Sequence, residues 1–500
     1  MAKHLPYNFE KIESFKAAFQ IPESWCIESA QYAFNEVRDG THDSPKALDI
    51  GIPLITSKNL KLTGIDFNNT TFISDIDHEE ISQRSAVSPG DLLFSMIGTI
   101  GNVGIVENNA KFSIKNVALF RENQKALNSK YAFYWLKSNT YQDYLEAKKK
   151  GGNQKFVSLG VLRDSPVLIA PLKEQIRIAN KLDALLAKVD AAQTRLDKIP
   201  NILKRFRQSV LAAATSGKLT KEWRENHESE HKRVKIEGKF ELDREIVKAS
   251  NLPKYWQWVP LGNFAKCARG KFSIRPRNDP TCFNGVYPFI QIGDLPREGG
   301  NITSHKQTLN EKGYSVSREF GIGTVVIAIV GATIANTGIV TYPVCFPDSL
   351  VGINSPSNVE NQYIDYHLRA IKDDIRQASY AGGGQPNIKL TIINPLPLPL
   401  PPYEEVLEII RRVESLFTMA DTVEKQYNAM RKNTDRLTQS LLAKAFRGEL
   451  VPQDPNDEPA DKLLAKIAAE RKAPLVSKSK AAKKKINKIK KKPKSTKQVA

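Results

Sequence analysis

Cysteine is scarce. Four residues in 500 (Cys26, Cys267, Cys282 and Cys345) stand far apart and never as Cys-x-x-Cys. That spacing argues against a disulfide framework and a thiolate zinc site, and it fits free thiols in a reducing cytoplasm. Long apolar runs are equally scarce. The one stretch that imitates a membrane span, residues 323–340, is uncharged but rich in Gly, Thr and β-branched residues. It reads as paired strands, so no membrane partner is expected. Residues 1–10 carry charge and lack an apolar run, which argues against a secretory signal. Acid is in deficit: 54 Asp+Glu face 74 Lys+Arg, for a net charge of +20. Residues 472–500 hold twelve lysines and no acid, and removing them leaves about +8. Such a tail is expected to be a disordered, solvated extension, and it can also attract nucleic acid without sequence preference.

Catalytic signatures are missing too. His227-Glu228-Ser229-Glu230-His231 spells the zinc-protease pattern, but its neighbours Arg224, Glu225, Asn226, Lys232 and Arg233 make a solvated linker, not an apolar helix face. Pro401-Pro402-Tyr403 ends like the Asp/Asn-Pro-Pro-Tyr motif of adenine methyltransferases, yet Leu400 stands where the hydrogen-bonding residue must be. Phe320-Gly321-Ile322-Gly323 has the wrong spacing for a phosphate loop, and Gly382-Gly383-Gly384 precedes no suitable helix. The chain is therefore expected to carry no catalytic residues, no metal ligands and no cofactor of its own.

What is present is repetition. A shift of 231 positions lays 151–219 on 382–450 without a gap. Gln154, Pro166, Pro171, Glu174, Arg205, Gln208, Gly217 and Leu219 fall on Gln385, Pro397, Pro402, Glu405, Arg436, Gln439, Gly448 and Leu450, and Pro22 and Trp25 fall on Pro253 and Trp256. A period this long marks a duplicated domain. Between the matched ends the copies diverge, and the offset drifts to 233 and 234 at 91–106 and 324–340. Those stretches read as strand pairs.

The repeated part is helical. Leu182, Leu185, Val189 and Leu196, and in the second copy Val413, Leu416, Val423 and Leu437, belong to stripes that alternate steps of four and three. The spacing predicts coiled-coil seams with charged flanks, the plainer alternative being core faces of two separate bundles. Pro171 and Pro402 open the helices, and Gly217 and Gly448 close them. Pro200 interrupts only the first and is expected to kink or split it. The expected organisation is a short N-terminal helix in 1–20, a strand-rich variable region 21–170, helix 171–217, charged linker 218–250, a second variable region 251–400, helix 401–448, a C-terminal segment 449–471 with one short helix, and the basic tail 472–500. The fold class is α+β: two strand-rich domains and two long helices in a pseudo-two-fold repeat. If the axis crosses the helices, they run antiparallel and present two unlike domains to a bipartite target.

Several segments together resemble a known family. Pro171-Leu172-Lys173-Glu174-Gln175 and Pro401-Pro402-Tyr403-Glu404-Glu405 sit at the helix starts. Ser209-Val210-Leu211-Ala212-Ala213-Ala214 with Gly217-Lys218-Leu219 closes one helix, and Ser440-Leu441-Leu442-Ala443-Lys444-Ala445-Phe446-Arg447-Gly448-Glu449-Leu450 the other. Asp39-Gly40-Thr41-His42 and Pro253-x-x-Trp256 add to them. In this order, and duplicated, they resemble the specificity subunit of type I restriction–modification enzymes over nearly the whole chain. The resemblance implies two target recognition domains on double-stranded DNA, and two coiled-coil spacer helices on which two modification (methyltransferase) subunits dock. Restriction (endonuclease and translocase) subunits complete the complex. S-adenosylmethionine, ATP and magnesium are implied for those partners, and a bacterial or archaeal source for the chain. The rivals are a specificity subunit serving a fused methyltransferase–nuclease polypeptide, and a coiled-coil scaffold that binds nucleic acid indiscriminately.

Candidate DNA contacts follow from side-chain chemistry. Asn153, Gln154 and Lys155 lie at one polar loop, and Gln385, Asn387 and Lys389 at the equivalent one. Asn and Gln can pair bidentately with adenine, and Lys reaches guanine or phosphate. The plain alternative is a connection into the last strand. Arg269, Lys271, Arg275 and Arg277 cluster early in the second variable region and can grip phosphate, or form only a solvated basic surface.

Overall fold

A computed structural model describes residues 21–61, 64–107, 111–151, 155–227, 235–243, 251–331, 333–380 and 388–469. The helix expected within 1–20 and the lysine-rich tail lie outside the described residues. The chain divides into two compact units, residues 1–195 with 430–500, and residues 196–429. Each unit is therefore built around one variable region and takes a part of each long helical stretch, an arrangement that a linear division of the chain does not convey.

In the first unit, β1 (Cys26–Ser29) pairs antiparallel with β6 (Pro166–Ile169), Cys26 opposite Ile169. Between them β2 (Glu36–Asp39), β3 (Leu92–Ser95), β4 (Val103–Ile105) and β5 (Val117–Arg121) form an antiparallel sheet in the order β2–β5–β3–β4. The expected strand pair at 91–106 is β3 and β4. Helices α1 (Ser129–Lys137) and α2 (Asn139–Glu146) are N-capped by Asn128 and Ser138, whose side chains accept from the backbone N–H groups of Tyr131 and Tyr141. Their aromatic face joins Trp25, Phe94 and Phe120 in one core. Helix α3 (Leu172–Leu196) adds Ile178 and Leu182 to that core, and Leu442, Ala445 and Phe446 arrive from the second long helix. Gln193 donates to Asp435 at 3.1 Å, and Asn139 N–H to Gln439 at 3.2 Å. Gln193 lies late in α3 and faces 435, whereas the earlier Leu182 shares its cluster with Leu442 and Ala445, so within this unit the two helical segments run antiparallel.

The second unit repeats the plan. Helix α4 (Ile199–Thr215) begins with Pro200 in its first turn, and residues 197–198 form a turn after α3. Pro200 therefore sits where the first helical stretch divides: its missing N–H is tolerated in a first turn and not inside a helix. Strand β7 (Gln257–Pro260) pairs antiparallel with β13 (Pro397–Leu400), Gln257 opposite Leu400. Strands β8 (Lys266–Arg269), β9 (Asn301–Ile302), β10 (Val325–Ala328), β11 (Thr337–Val340) and β12 (Leu350–Asn354) form a sheet in the order β8–β12–β10–β11–β9. The uncharged 323–340 stretch is thus largely β10 and β11, paired antiparallel. Helices α5 (Asn358–Ala370) and α6 (Lys372–Tyr380) take the places of α1 and α2. Helix α7 (Tyr403–Phe446) is continuous for 44 residues, and its first part packs Val406, Ile409 and Val413 with Val210, Leu211 and Ala214 of α4. Arg207 reaches Asp421 and Glu424, both at 2.7 Å.

The two units differ where they are expected to. The first carries a three-stranded sheet of Thr71–Ile73, Ile52–Thr56 and Ser113–Lys115. The second carries instead a four-stranded sheet of Gln307–Leu309, Phe283–Phe289, Val344–Cys345 and Glu319–Phe320 over a small core of Phe272, Cys282, Phe289, Leu309 and Cys345.

The frame common to both is held by one joint. Trp25 Nε1 donates to Glu174 Oε2 at 3.0 Å, and Trp256 Nε1 to Glu405 Oε2 at 2.8 Å. Both bonds span 149 residues and tie the entry of a variable region to the helix that leaves it. Gly217 and Gly448 both adopt φ +74°. A Cβ on Gly217 would sit 2.4 Å from Pro253 Cγ, and one on Gly448 2.4 Å from Pro22 Cγ, so each helix ends against the proline that opens a variable region of its own unit.

The helical seam is less buried than its spacing suggests. Leu182, Val189 and Val413 are buried, and Leu185, Leu196 and Leu416 are half-buried. Val423 and Leu437 keep 43% and 47% of their surface, and Met419 and Met430 about as much or more. Heptad spacing finds the stripe. It does not find where a neighbouring element covers it, because that cover comes from residues far away in sequence.

Candidate nucleic-acid interface

Asn153, Gln154, Gln385 and Asn387 lie outside the described residues, but the flanks of both loops are described. Val157 N–H donates to Met96 O at 2.9 Å, and Ile388 N–H to Ile329 O at 2.9 Å. The described residues that follow the two loops are thus tied to the segment just after the equivalent strand, β3 or β10. Lys150 and Phe156 bond to each other through both backbone groups, closing the first loop at its base. Lys155 is exposed and lies 3.8 Å from Glu146. Lys389 is exposed and precedes the helical turn Leu390–Ile393. The lysines are placed to reach outward from these flanks.

Three of the four early basic residues of the second variable region converge on one acid. Arg277 Nη2 donates to Asp348 Oδ1 at 2.6 Å, Arg275 Nη2 lies 3.8 Å from Asp348 Oδ2, and Arg269 Nε donates to the Asp348 carbonyl at 3.1 Å. The backbone causes this: β8 pairs with β12, so Arg269 lies opposite Val351, three residues past Asp348. Arg275 and Arg277 remain about half exposed. Exposed pairs of this kind contribute only about 0–1 kcal/mol, so the guanidinium groups stay available to a phosphate. Lys271 stands apart from them, exposed, and its carbonyl accepts from Ser317 Oγ.

A second basic feature escapes sequence reasoning. In the second unit a cleft of about 500 Å³ opens between α4, the turns around Gly299 and Ala335, and helices α5 and α6. Seven cationic side chains and two carboxylates line it. Arg207, Arg369 and Arg376 are paired, with Asp421 and Glu424, with Asp365 and with Asp373. Among the described residues Lys204, Arg205, Arg297 and Lys372 make no ion pair. Burial holds the Lys372 ammonium below the usual lysine range, and the positive charges of Arg376 and Lys204 push it the same way. The available signal was a comparison of the two repeats: Lys204 and Arg207 stand where the other copy has Asp435 and Thr438.

The described residues hold no group of three or more His, Cys, Asp or Glu placed to bind a metal, and no described helix is long and apolar enough to cross a membrane. His227 stacks on Trp223 with ring centroids 4.4 Å apart and bonds to the Trp223 carbonyl, while the remainder of its His-Glu-x-x-His stretch lies outside the described residues.

The repeated frame with divergent sheets matches known proteins. A family model described as the type I restriction modification DNA specificity domain matches residues 50–201 and again 253–430, well over half of the chain. The chain is 28% identical to the type I restriction enzyme EcoKI specificity subunit of Escherichia coli strain K12, over 91% of this chain and 97% of that one. It is 32% identical to the EcoDI specificity subunit of Escherichia coli, over 68% of this chain and 76% of that one. Two solved structures share the fold. One, from a study of assembly and conformational transition of the type I R-M system, has a TM-score of 0.64 at 17% identity, covering 89% of this chain and all of that one. The other, the HsdS subunit from Thermoanaerobacter tengcongensis, has a TM-score of 0.53 at 16% identity, covering 87% and 99%. The chain belongs to the family of type I restriction–modification specificity subunits. Its role is sequence-specific DNA recognition within such a system, not catalysis.

Proposed function

We propose that the two units read two unlike half-sites of one bipartite, asymmetric target in double-stranded DNA, and so direct adenine methylation or DNA cleavage by partner subunits. The observation that carries this reading is the joint Trp25–Glu174 and Trp256–Glu405, the same in both copies, around sheets that differ. A common frame positions, and the unlike β structure supplies different base contacts. Candidate contacts are the two loops with Lys155 and Lys389, and the arginines around Asp348. Two modification subunits dock on the spacer helices, where the exposed apolar residues Met419, Val423, Met430 and Leu437 lie on α7, and restriction subunits complete the complex. S-adenosylmethionine, ATP and magnesium belong to those partners, and the complex works in the cytoplasm.

Replacing residues 21–170 by the corresponding region of another specificity subunit, and mapping methylated adenines in cells, tests the reading. One half of the methylated motif should change and the other persist. A change in both halves sinks it.

A further inference from the structure

We propose that the basic cleft between α4, α5 and α6 of the second unit is a phosphate-binding clamp for the DNA backbone, with Lys204, Arg297 and Lys372 as its principal contacts. The proposal rests on the DNA-recognition role and adds to it a site that reads no base. Among the described residues, four cations that make no ion pair line one groove whose lining holds two acids, Glu298 and Asp373. Such an arrangement is self-repulsive until an anion enters, and burial, with Arg376 and Lys204 adding to it, holds the Lys372 ammonium below the usual lysine range. The groove is built, not a chance meeting of long side chains. Gln208 of α4 donates to the Ala370 carbonyl at 3.0 Å, and Arg376 Nε to the Ile334 carbonyl at 2.9 Å. These bonds fix the spacer helix, the helical pair and the β10–β11 turn around the opening.

Comparison of the two copies identifies the anion. The Gln208 contact has its counterpart in Gln439, which accepts from Asn139 N–H. Around it, however, the first unit carries Asp435 and Thr438 at the repeat positions of Lys204 and Arg207, and α2 has Asn139 and Asp143 as its first and fifth residues where α6 has Lys372 and Arg376. A dock for a partner that binds both copies would recur in both. A contact belonging to one half of an asymmetric DNA target would not. Helix α6, whose first turn supplies Lys372 and Asp373 to the cleft, immediately precedes residues 381–387 in the sequence.

The test uses the full chain assembled with its modification subunits. Binding is measured across a salt series to a duplex containing the mapped methylation motif and to a scrambled duplex. The variants are K204A/K372A, R297A and, as the matched change in the other copy, D435A. Each neutralised phosphate contributes a slope of about −0.9 in log K against log salt. K204A/K372A should flatten the slope by about 2 and weaken both duplexes by about 10–100-fold, in equal proportion. R297A should flatten it by about 1, and D435A should not flatten it. Thermal melting checks that every variant is folded. An unchanged slope in folded K204A/K372A and R297A overturns the proposal. So does intact DNA binding with lost assembly, which would make the cleft an acidic-protein dock. Stabilisation of the wild type by tripolyphosphate, with DNA slopes unaffected by the substitutions, would assign the cleft to a small polyanion and also overturn it. If the wild type does not distinguish the two duplexes, the DNA-recognition reading fails instead, whatever the slopes.

Discussion

At the scale of single residues, the two copies of the Trp–Glu joint are not energetically alike. Glu405 accepts from Trp256, from Thr220 Oγ1 at 2.7 Å and from Arg224 Nε at 2.9 Å, so its charge is balanced by a guanidinium that is only 14% exposed. Glu174 accepts from Trp25 and from the Gln453 amide, both neutral, and burial raises its carboxyl above the ordinary range. Removing one partner of a nearly buried ion pair costs more than removing a neutral bond, because it strands the other charge. Glu405→Ala should therefore destabilise by about 2–4 kcal/mol and Glu174→Ala by about 1–2. The glutamines separate the causes: Glu174→Gln keeps an acceptor for Trp25 and should be close to neutral, while Glu405→Gln still strands Arg224. Urea denaturation of the four variants decides, and equal costs at the two sites would refute the charge argument. A second prediction concerns the helix ends. Gly448→Ala forces a Cβ into Pro22 at φ +74° and should cost at least about 1–2 kcal/mol, seen as a lower melting temperature.

At the scale of elements, repetition and spacing made the long helical stretches, the strand pairs at 91–106 and 324–340 and a break at Pro200 legible in the sequence. What it could not supply were partners distant in the chain. Glu174 and Glu405 stand out as repeated residues, but a bond across 149 positions has no local signature. The cleft lysines are ordinary helix flanks until α5, with α6 after it, is folded against α4. The same limit hides a substitution on the helices that back the sheets. In α1 Trp135 Nε1 donates to the Pro166 carbonyl at 2.8 Å, and in α5 the corresponding donor is His367, 2.7 Å from the Pro397 carbonyl. A carbonyl only accepts, so Nε2 carries the proton. Nδ1 has no hydrogen-bond partner among the described residues, and burial pushes the imidazole down to about 4. Folding thus favours the neutral ring. Its contribution is fully present above the unfolded value near 6.5 and is lost as pH falls through about 4, a loss on the order of 3 kcal/mol. His367→Gln keeps a donor and cannot titrate, so the variant should lose correspondingly less stability between about pH 7 and about pH 4. Parallel pH profiles of the two proteins would refute the assignment.

At the scale of the whole molecule, the proposed DNA contacts draw on two kinds of positive charge. The tail 472–500 carries twelve lysines and no acid, and without it the net charge falls from +20 to about +8. Its lysines can neutralise phosphates wherever the chain meets DNA, but twelve copies of one residue type carry little information about bases. The cleft and the arginines around Asp348, by contrast, are held in place by β-sheet register and by bonds to carbonyls. Deleting 472–500 should therefore weaken binding to scrambled DNA strongly at about 50 mM salt and little at about 200 mM, where counterion competition has already removed that term. Binding to the cognate motif should fall by a smaller factor, so that discrimination between the two duplexes rises at low salt. Competition binding at both salt concentrations measures this directly. If the truncated chain discriminates less well than the full one, the tail takes part in recognition, and the division between a lysine-rich source of affinity and a folded source of specificity is wrong.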